Sequence, residues 1–450
     1  MESGAMSNGG VQRKLVSGLF WVLLANLLVK PFWILGIEVE VQNVVGNSAY
    51  GFYAALFSFS YIFNILLDLG ITNFNTRNIA QHPQLISKHL SGILGIKVCL
   101  LALYLVVTFT AGLLMGYGSD EFRLLALLTL CQALNSLILY LRSNFEGLLL
   151  FRWDSLFSVL DRLLMILICG CLLWSPLRER FNIYWFVYAQ LAAYGLAALL
   201  AFSVIARKTR FRRLRWNWRF FLVILRKSAP FALLVLLMAS YNRIDPILLR
   251  SIAGDADAGV YAGAFRLLDA LTMVCYLVSV PLLPVFSRLC APKAVNVPAE
   301  LASTVRLVFW PMMLFGVGAA VLGNIFAEPL MELLYPGHGA PYVPVFRVVI
   351  FGLIPIGITY IFGTLLTAGG HLRQLNIFAA VTLVLNVVIN LLLIPRLGAT
   401  GSAWASLTAQ SFMAIAQLVL AIRLFRLPAG SFRLPCLSNI KHLPQLLKRD

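Results

Sequence analysis

Long apolar stretches alternate with short polar segments along almost the whole chain. Each stretch approaches the roughly 20 residues that an α-helix needs to cross the hydrocarbon core of a membrane, and none alternates as a strand would. The pattern therefore predicts twelve membrane-spanning helices and no separate soluble domain. The predicted spans are Leu15–Ile37, Tyr50–Leu69, Ser91–Met115, Phe122–Leu141, Ser155–Trp174, Ile183–Ile205, Phe221–Leu249, Val260–Phe286, Val305–Phe326, Val343–Thr367, Leu375–Ile394 and Ala403–Ile422.

The composition is typical of the same class of protein. Hydrophobic residues make up 60% of the 450 positions and charged residues 12%, with a mean hydropathy of +0.86. A water-soluble domain is about half apolar and about a quarter charged, so this composition excludes a fold in water. We therefore predict an all-α polytopic membrane protein whose first span is retained, because that span has no small-residue cleavage pattern.

The positive charges predict the orientation, because cytoplasmic loops carry more Lys and Arg than external loops do. With the N-terminus inside, 22 Lys and Arg residues fall in cytoplasmic segments and 5 in external loops. Both termini are thus expected to face the cytoplasm. The run FRRLRWNWRF at 211–220 is interpreted as a juxtamembrane segment against anionic lipid headgroups, and no nucleic-acid partner is expected.

Two similar heptapeptides indicate an internal repeat. GFYAALF at Gly51–Phe57 and GVYAGAF at Gly259–Phe265 share four identical positions, and an Asn–cation–Pro pattern precedes each. Six spans per half preserve the orientation, so we predict two parallel six-helix halves around a central cavity. The glycines themselves are typical of ordinary close helix packing. The predicted organisation is a cytoplasmic N-terminus at 1–14, halves at 15–205 and 221–424, a basic linker at 206–220 and a basic tail at 425–450.

Ionisable residues inside the predicted spans are the main functional candidates. A charge near the middle of a bilayer costs about 2.5–3.5 kcal/mol on insertion scales, so such residues usually face a cavity or a partner. Arginine is well suited to bidentate contacts with phosphate oxygens. The candidates for binding an anionic headgroup are Lys30, Arg243, Arg266 and Arg347. The carboxylates that could couple an ion, or only balance charge, are Asp68, Asp245 and Asp269.

Structural explanations of these charges stay open. Arg266 and Asp269 are three residues apart and can pair on one helix face, whereas Arg243 and Asp245 are two apart and point in different directions. Arg162 beside Asp161 is interpreted as a candidate structural pair. Snorkelling to the interface competes evenly for Arg347 and is favoured for the cations near cytoplasmic ends, Lys97, Arg226, Lys227 and Arg306.

Three segments resemble bacterial polysaccharide and O-antigen flippases. Tyr241–Leu289 is similar to the seventh and eighth helices of that family, and the matching positions are Asp245, Gly259, Tyr261, Ala264, Pro284 and Ser287. Leu391–Gln410 resembles the junction of the eleventh and twelfth helices, with Ile394, Pro395, Gly398, Gly401 and Ala403 in place. Asp68–Gln81 resembles the end of the second helix.

The resemblance implies a member of the multidrug/oligosaccharidyl-lipid/polysaccharide exporter superfamily. Its polysaccharide branch flips polyprenyl-pyrophosphate-linked oligosaccharides from the cytoplasmic to the periplasmic leaflet of the bacterial inner membrane, for lipopolysaccharide and other surface polysaccharides. Alternating access between two similar halves is the expected mechanism. The implied partners are the lipid-linked oligosaccharide, membrane lipids and other polysaccharide-assembly proteins. We expect no cofactor and no bound metal.

Two other functions stay open. A cation-coupled multidrug exporter shares the twelve-helix plan, although cationic cargo matches the cations in the spans poorly. A membrane glycosyltransferase or polymerase would act on the same lipid-linked sugars. However, the longest external loop, 327–342, has only 16 residues and few groups for acid–base catalysis. We therefore expect a transporter and not an enzyme.

Overall fold

The computed structural model describes residues 25–72, 75–76, 79, 86–148, 150–208, 218–279, 282–290 and 297–427. Over these residues the regular structure is helical and contains no strand, which confirms the all-α fold class. The N-terminus 1–14, linker residues 209–217 and tail residues 428–450 lie outside the described residues. The helices are α1 (Ala25–Leu67), α2 (Ile86–Leu114), α3 (Ser119–Gly147), α4 (Phe151–Phe157), α5 (Leu160–Leu173), α6 (Ile183–Lys208), α7 (Trp218–Ala253), α8 (Asp255–Ser279), α9 (Leu282–Leu289), α10 (Val297–Ile325), α11 (Ala327–Leu334), α12 (Tyr342–Val349), α13 (Leu353–Ala368) and α14 (Leu372–Phe425).

The described chain has ten helical segments long and apolar enough to cross a membrane. Two of them, α1 and α14, are far longer than one span, and each is broken at a single glycine. Gly46 has φ 80° and ψ 165°, and Gly398 has φ 52° and ψ −132°. Glycine adopts such dihedrals without steric cost, which lets the chain turn sharply there. Counting each broken helix as two spans accounts for the twelve predicted spans.

The first half of α1 extends beyond its predicted end at Ile37 and stops only at Gly46. Two glutamates, Glu38 and Glu40, follow the predicted end of the span. In the structure both glutamates have partners: the Trp33 indole Nε1 donates to Glu38 Oε1 at 3.1 Å, and Arg178 Nη1 lies 2.7 Å from Glu40 Oε1. The satisfied carboxylates therefore remain on a continuous helix.

The helices form two compact units, unit 1 (residues 1–263) and unit 2 (residues 264–450), and the division falls inside α8. In unit 1, buried side chains of α1, α3, α5 and α6 form the main core, including Trp33, Leu128 and Phe186. In unit 2, α13 packs along α14, and α10 packs against α13. The predicted halves, 15–205 and 221–424, were based on the sequence repeat and differ from these two packing units. Their boundaries therefore stay a prediction.

The two repeated motifs contact each other inside unit 1. A Cβ atom added to Gly51 would overlap the carbonyl oxygen of Asp255, and one added to Gly259 would overlap that of Asn47. The Gln42 side-chain amide also donates to the Gly259 carbonyl oxygen at 2.8 Å. Glycine at both positions thus permits backbone contact between α1 and α8, as in the close packing of membrane helices.

Candidate functional site

The candidate site includes an irregular helical turn of α1. The segment Trp33–Glu38 is π-helical, a form that is rare and is often found at functional sites. Its extra residue per turn rotates the following side chains relative to a regular α-helix. The Trp33 ring is buried and stacks on Phe186 of α6, with centroids 6.0 Å apart and planes 4° apart. The turn is thereby fixed against the unit 1 core.

The guanidinium of Arg162, on α5, lies against two aromatic rings. Its Cζ is 5.6 Å from the Trp33 ring centroid and 5.7 Å from that of Tyr194, on α6. Cation–π contacts of this kind hold a guanidinium in place without neutralising it. Its Nε is 3.7 Å from Asp161 Oδ2, so the predicted structural pair is present, although the separation is long for a strong hydrogen bond.

A chain of polar side chains supports this arrangement. Tyr53 Oη donates to Gln190 Oε1 at 3.5 Å, and Gln190 Nε2 donates to Tyr194 Oη at 3.2 Å. Tyr53, Gln190 and Tyr194 are all buried. Their hydrogen bonds link α1 to α6 and orient the Tyr194 ring that faces Arg162.

Lys30 lies one turn before the π-helical segment and is only partly buried. The charged groups that act on it are the guanidiniums of Arg162 and Arg142 and one carboxylate, that of Asp161. Among the described residues Lys30 joins no ion pair with an N–O distance up to 4.0 Å. Arg142 has its own partner, Asp154, at 2.8 Å. Lys30 is therefore a cation without an ion pair among the described residues, about 24 Å along the helix from Gly46.

We refer to Lys30, Trp33, Asp161, Arg162 and Tyr194 as the cation–aromatic cluster. Of these, Lys30 alone was a candidate from the sequence. A signal for Trp33 was present, because Trp33 follows Lys30 by three residues and shares its helix face. Nothing in the sequence indicated that Arg162 and Tyr194, from two other helices, would meet that face.

Asp68 is held by Lys97 of α2. The Lys97 ammonium donates to Asp68 Oδ1 at 3.0 Å, to the Leu67 carbonyl oxygen at 3.0 Å and to Ser136 Oγ at 2.8 Å. Its side chain is 9% exposed, so the expectation that Lys97 snorkels to the interface is wrong. Asp68 also accepts hydrogen bonds from Thr72. These contacts support a charge-balancing role for Asp68 at the end of α1.

Replacing Lys97 with Met should lower the free energy of unfolding by about 2 kcal/mol, because three acceptors lose a charged donor. The double variant Lys97→Met with Asp68→Asn should recover part of that loss, because the unpaired carboxylate is also removed. Thermal unfolding of the purified variants in detergent measures both effects. Equal stability of Lys97→Met and the unmodified protein would contradict the assignment of a structural pair.

Arg243 and Asp245 of α7 point toward different neighbours, as their spacing predicts. The Arg243 guanidinium lies 5.3 Å from the Tyr61 ring centroid on α1. Asp245 is 1% exposed and accepts a hydrogen bond from Tyr261 Oη at 2.9 Å. Tyr261 is one of the repeated motif positions on α8, and its hydroxyl links α8 to α7.

The remaining candidates lie in unit 2. Arg266 is buried on α8 and its Nη1 is 3.4 Å from Tyr335 Oη, whereas Asp269 on the same helix is exposed. Arg347 is 48% exposed and forms an ion pair with Glu328 at 3.0 Å. The charged groups that act on Lys30 are Arg162, Asp161 and Arg142, all in unit 1.

Over the described residues the chain is helical and accounts for twelve spans with ionisable side chains within them, which defines a polytopic membrane protein. A model of the family described as polysaccharide biosynthesis protein matches residues 15–290, and the chain belongs to this family. The family resemblance seen in the sequence is thereby confirmed. No curated protein matches the chain significantly.

Several solved transporter structures have the same fold. A mutant of the MATE transporter VcmN from Vibrio cholerae is 19% identical with a TM-score of 0.61, covering 94% of this chain and 99% of that chain. The lipid II flippase MurJ, in an inward closed conformation, is 14% identical with a TM-score of 0.65, covering 94% and 88%. A MOP superfamily transporter from Pyrococcus furiosus is 14% identical with a TM-score of 0.59, covering 93% and 96%. The family and these neighbours are transporters and flippases and not catalysts.

Proposed function

We propose that this protein flips a polyprenyl-pyrophosphate-linked oligosaccharide from the cytoplasmic to the periplasmic leaflet of a bacterial inner membrane, for surface polysaccharide synthesis. The observation that carries the proposal is Lys30, a lysine without an ion-pair partner among the described residues, in the same membrane-spanning unit as the Arg162 guanidinium held by Trp33 and Tyr194. Placing such a charged side chain within the bilayer costs free energy unless an anion binds to it. A pyrophosphate headgroup supplies that anion.

The cation–aromatic cluster offers the chemistry that a pyrophosphate requires. Lys30 provides a mobile point charge with three donors, and Arg162 provides a planar fork held by Trp33 and Tyr194. Charge-assisted hydrogen bonds of this type are about twice as strong as neutral ones. Asp161 offsets part of the positive charge, so the headgroup can leave again after translocation.

Arg243, Arg266 and Arg347 remain proposed contacts for the same headgroup at other stages of transport. Arg243 rests against Tyr61, and Arg266 lies near the Tyr335 hydroxyl, so each is a cation held by an aromatic residue. Arg347 is the weakest candidate, because it is exposed and paired with Glu328. Asp245 and Asp269 remain proposed for ion coupling or charge balance, and Asp68 for charge balance.

The alternative is a multidrug exporter, favoured by the similarity to VcmN. Its cargo would be cationic, and the charges around Lys30 would repel it. The lipid II flippase similarity supports a lipid-linked anionic cargo instead. Alternating access, with both termini cytoplasmic, is proposed for either cargo.

A reconstitution experiment tests the flippase proposal. The purified chain is placed in liposomes containing a polyprenyl-pyrophosphate oligosaccharide with a fluorophore on the sugar, and a membrane-impermeant quencher reports the outer-leaflet fraction. We expect protein-dependent exchange between leaflets with the substrate chemically unchanged. Sugar transfer would instead identify an enzyme. No exchange, together with efflux of a cationic dye, would identify a drug exporter.

A further inference from the structure

A second polar site lies in unit 1 and shares no residue with the cation–aromatic cluster. A cleft of about 960 Å³ opens where the α2–α3 turn, the start of α6 and the α7–α8 turn lie together. Its lining includes Phe52, Glu121, Tyr184, Tyr188, Arg250 and Asp255. Pockets of this size, with a few convergent polar groups, are typical of binding sites for small molecules. The positive-inside pattern predicts that these turns face the external side.

Arg250 lines the cleft, and its neighbours hold its side chain in place. Its Nη2 donates to Glu121 Oε1 at 2.9 Å and its Nε to Asp255 Oδ1 at 2.6 Å. The guanidinium Cζ is 4.7 Å from the Phe52 ring centroid and 5.9 Å from that of Tyr117. Ion pairs and ring contacts thus fix the Arg250 side chain in the lining of the cleft.

Two tyrosines form one wall. Tyr184 and Tyr188 are four residues apart and therefore share a face of α6. The Asn182 side chain accepts hydrogen bonds from the backbone amides of Tyr184 and Trp185, at 3.0 and 3.2 Å, and fixes the start of this helix. Tyr188 is 53% exposed, so the wall presents an accessible ring.

The charge of the cleft excludes the pyrophosphate as its ligand. Three carboxylates and two guanidiniums line it, which gives a net charge of −1. Both guanidiniums already have carboxylate partners, since Arg123 lies 3.9 Å from Asp120. Burial raises the pKa of the nearby Tyr117 to about 12, so this phenol stays neutral at pH 7. The net negative charge of the lining therefore disfavours an anionic ligand.

We infer that the cleft binds the sugar part of the transported molecule at the external end of unit 1. Aromatic rings pack on the C–H faces of pyranoses, and fixed carboxylates and guanidiniums exchange hydrogen bonds with hydroxyl groups, so the lining suits a neutral glycan. This assignment rests on the proposed function. In this assignment the protein binds the two parts of the substrate at two sites: the headgroup binds at the cation–aromatic cluster, and the glycan binds at the cleft.

Binding of a free glycan tests the cleft independently of transport. The probe is the neutral repeat-unit oligosaccharide released from the surface polysaccharide of the producing cell, labelled at its reducing end and lacking lipid and pyrophosphate. Its affinity for the full-length protein in detergent is measured by fluorescence anisotropy. Tyr184→Ala with Tyr188→Ala should weaken binding at least tenfold. Tyr276→Ala, which removes a similarly exposed tyrosine of α8, should leave affinity unchanged, and inorganic pyrophosphate should not displace the probe.

The outcomes separate this inference from the proposed function. Equal affinity in all variants, no binding of the probe, or displacement by pyrophosphate would overturn the glycan cleft. Translocation in liposomes without binding of the free glycan would overturn the cleft alone. Binding that depends on the two tyrosines, with no translocation, would leave the glycan site standing and overturn the flippase function.

Discussion

Replacing Lys30 with alanine is expected to reduce translocation of a polyprenyl-pyrophosphate substrate by about 10- to 100-fold. The estimate follows from losing one charge-assisted hydrogen bond, worth about 1.5–3 kcal/mol. Stability should be unchanged or slightly higher, because Lys30 is repelled by Arg162 and Arg142. The liposome exchange assay and thermal unfolding of the same preparation measure the two quantities.

Matched variants make this result specific to the charge. Lys30→Arg should retain most translocation, whereas Lys30→Met, which keeps the length of the side chain, should behave like alanine. Arg423→Ala removes an exposed cation of α14 and should have little effect. If Lys30→Ala exchanges substrate at the unmodified rate, Lys30 does not contact the headgroup, and the cation–aromatic cluster loses its proposed role.

Replacing Gly259 with alanine is expected to cost at least about 3 kcal/mol of folding free energy, the upper end of typical overpacking effects. The added methyl group would overlap backbone atoms of Asn47, which no side-chain rotation can relieve. The helices α1 and α8 would then have to separate, and the hydrogen bond from Gln42 to the Gly259 carbonyl would lengthen. We expect a strong loss of monodisperse protein in size-exclusion chromatography and a lower melting temperature.

The control for this variant is Gly195→Ala on α6. No atom lies within 4 Å of the Cβ position there, and alanine has the higher helix propensity, so stability should be unchanged or slightly greater. Gly51→Ala should resemble Gly259→Ala, because it meets the Asp255 carbonyl oxygen. A Gly259→Ala protein that melts at the unmodified temperature would show that α1 and α8 do not touch at the repeated motifs.

The fold was largely predictable, because spans in a membrane depend on local composition. Each predicted span has a corresponding helix or half-helix in the described structure. The errors are at the ends, as at Ile37, where the helix continues through Glu38 and Glu40, which are held by Trp33 and by Arg178. The sharp breaks at Gly46 and Gly398 likewise required backbone dihedrals that an apolar pattern does not contain.

The candidate site was predictable only in part. Lys30 and Arg162 can be recognised in the sequence as cations in apolar helices. Whether their side chains face each other, however, depends on the rotation of α1 and α5 about their axes. The π-helical turn changes that rotation and brings Trp33 beside Arg162. Periodicity derived from a regular helix cannot anticipate such a change. The external cleft had no signal at all, because its residues come from five helices.

The sequence by itself determined the class, the number of spans and the family of this protein, because hydrophobic length and short motifs are local properties. Only the tertiary structure determined which charged side chains have hydrogen-bond or ion-pair partners. Lys30 and Lys97 look alike in the sequence, each a lysine in an apolar span. The structure places Lys97 beside Asp68 and Ser136, whereas Lys30 joins no ion pair among the described residues. Electrostatic free energy depends on distances between residues far apart in the chain, so the same side chain is structural in one helix and available for a ligand in another.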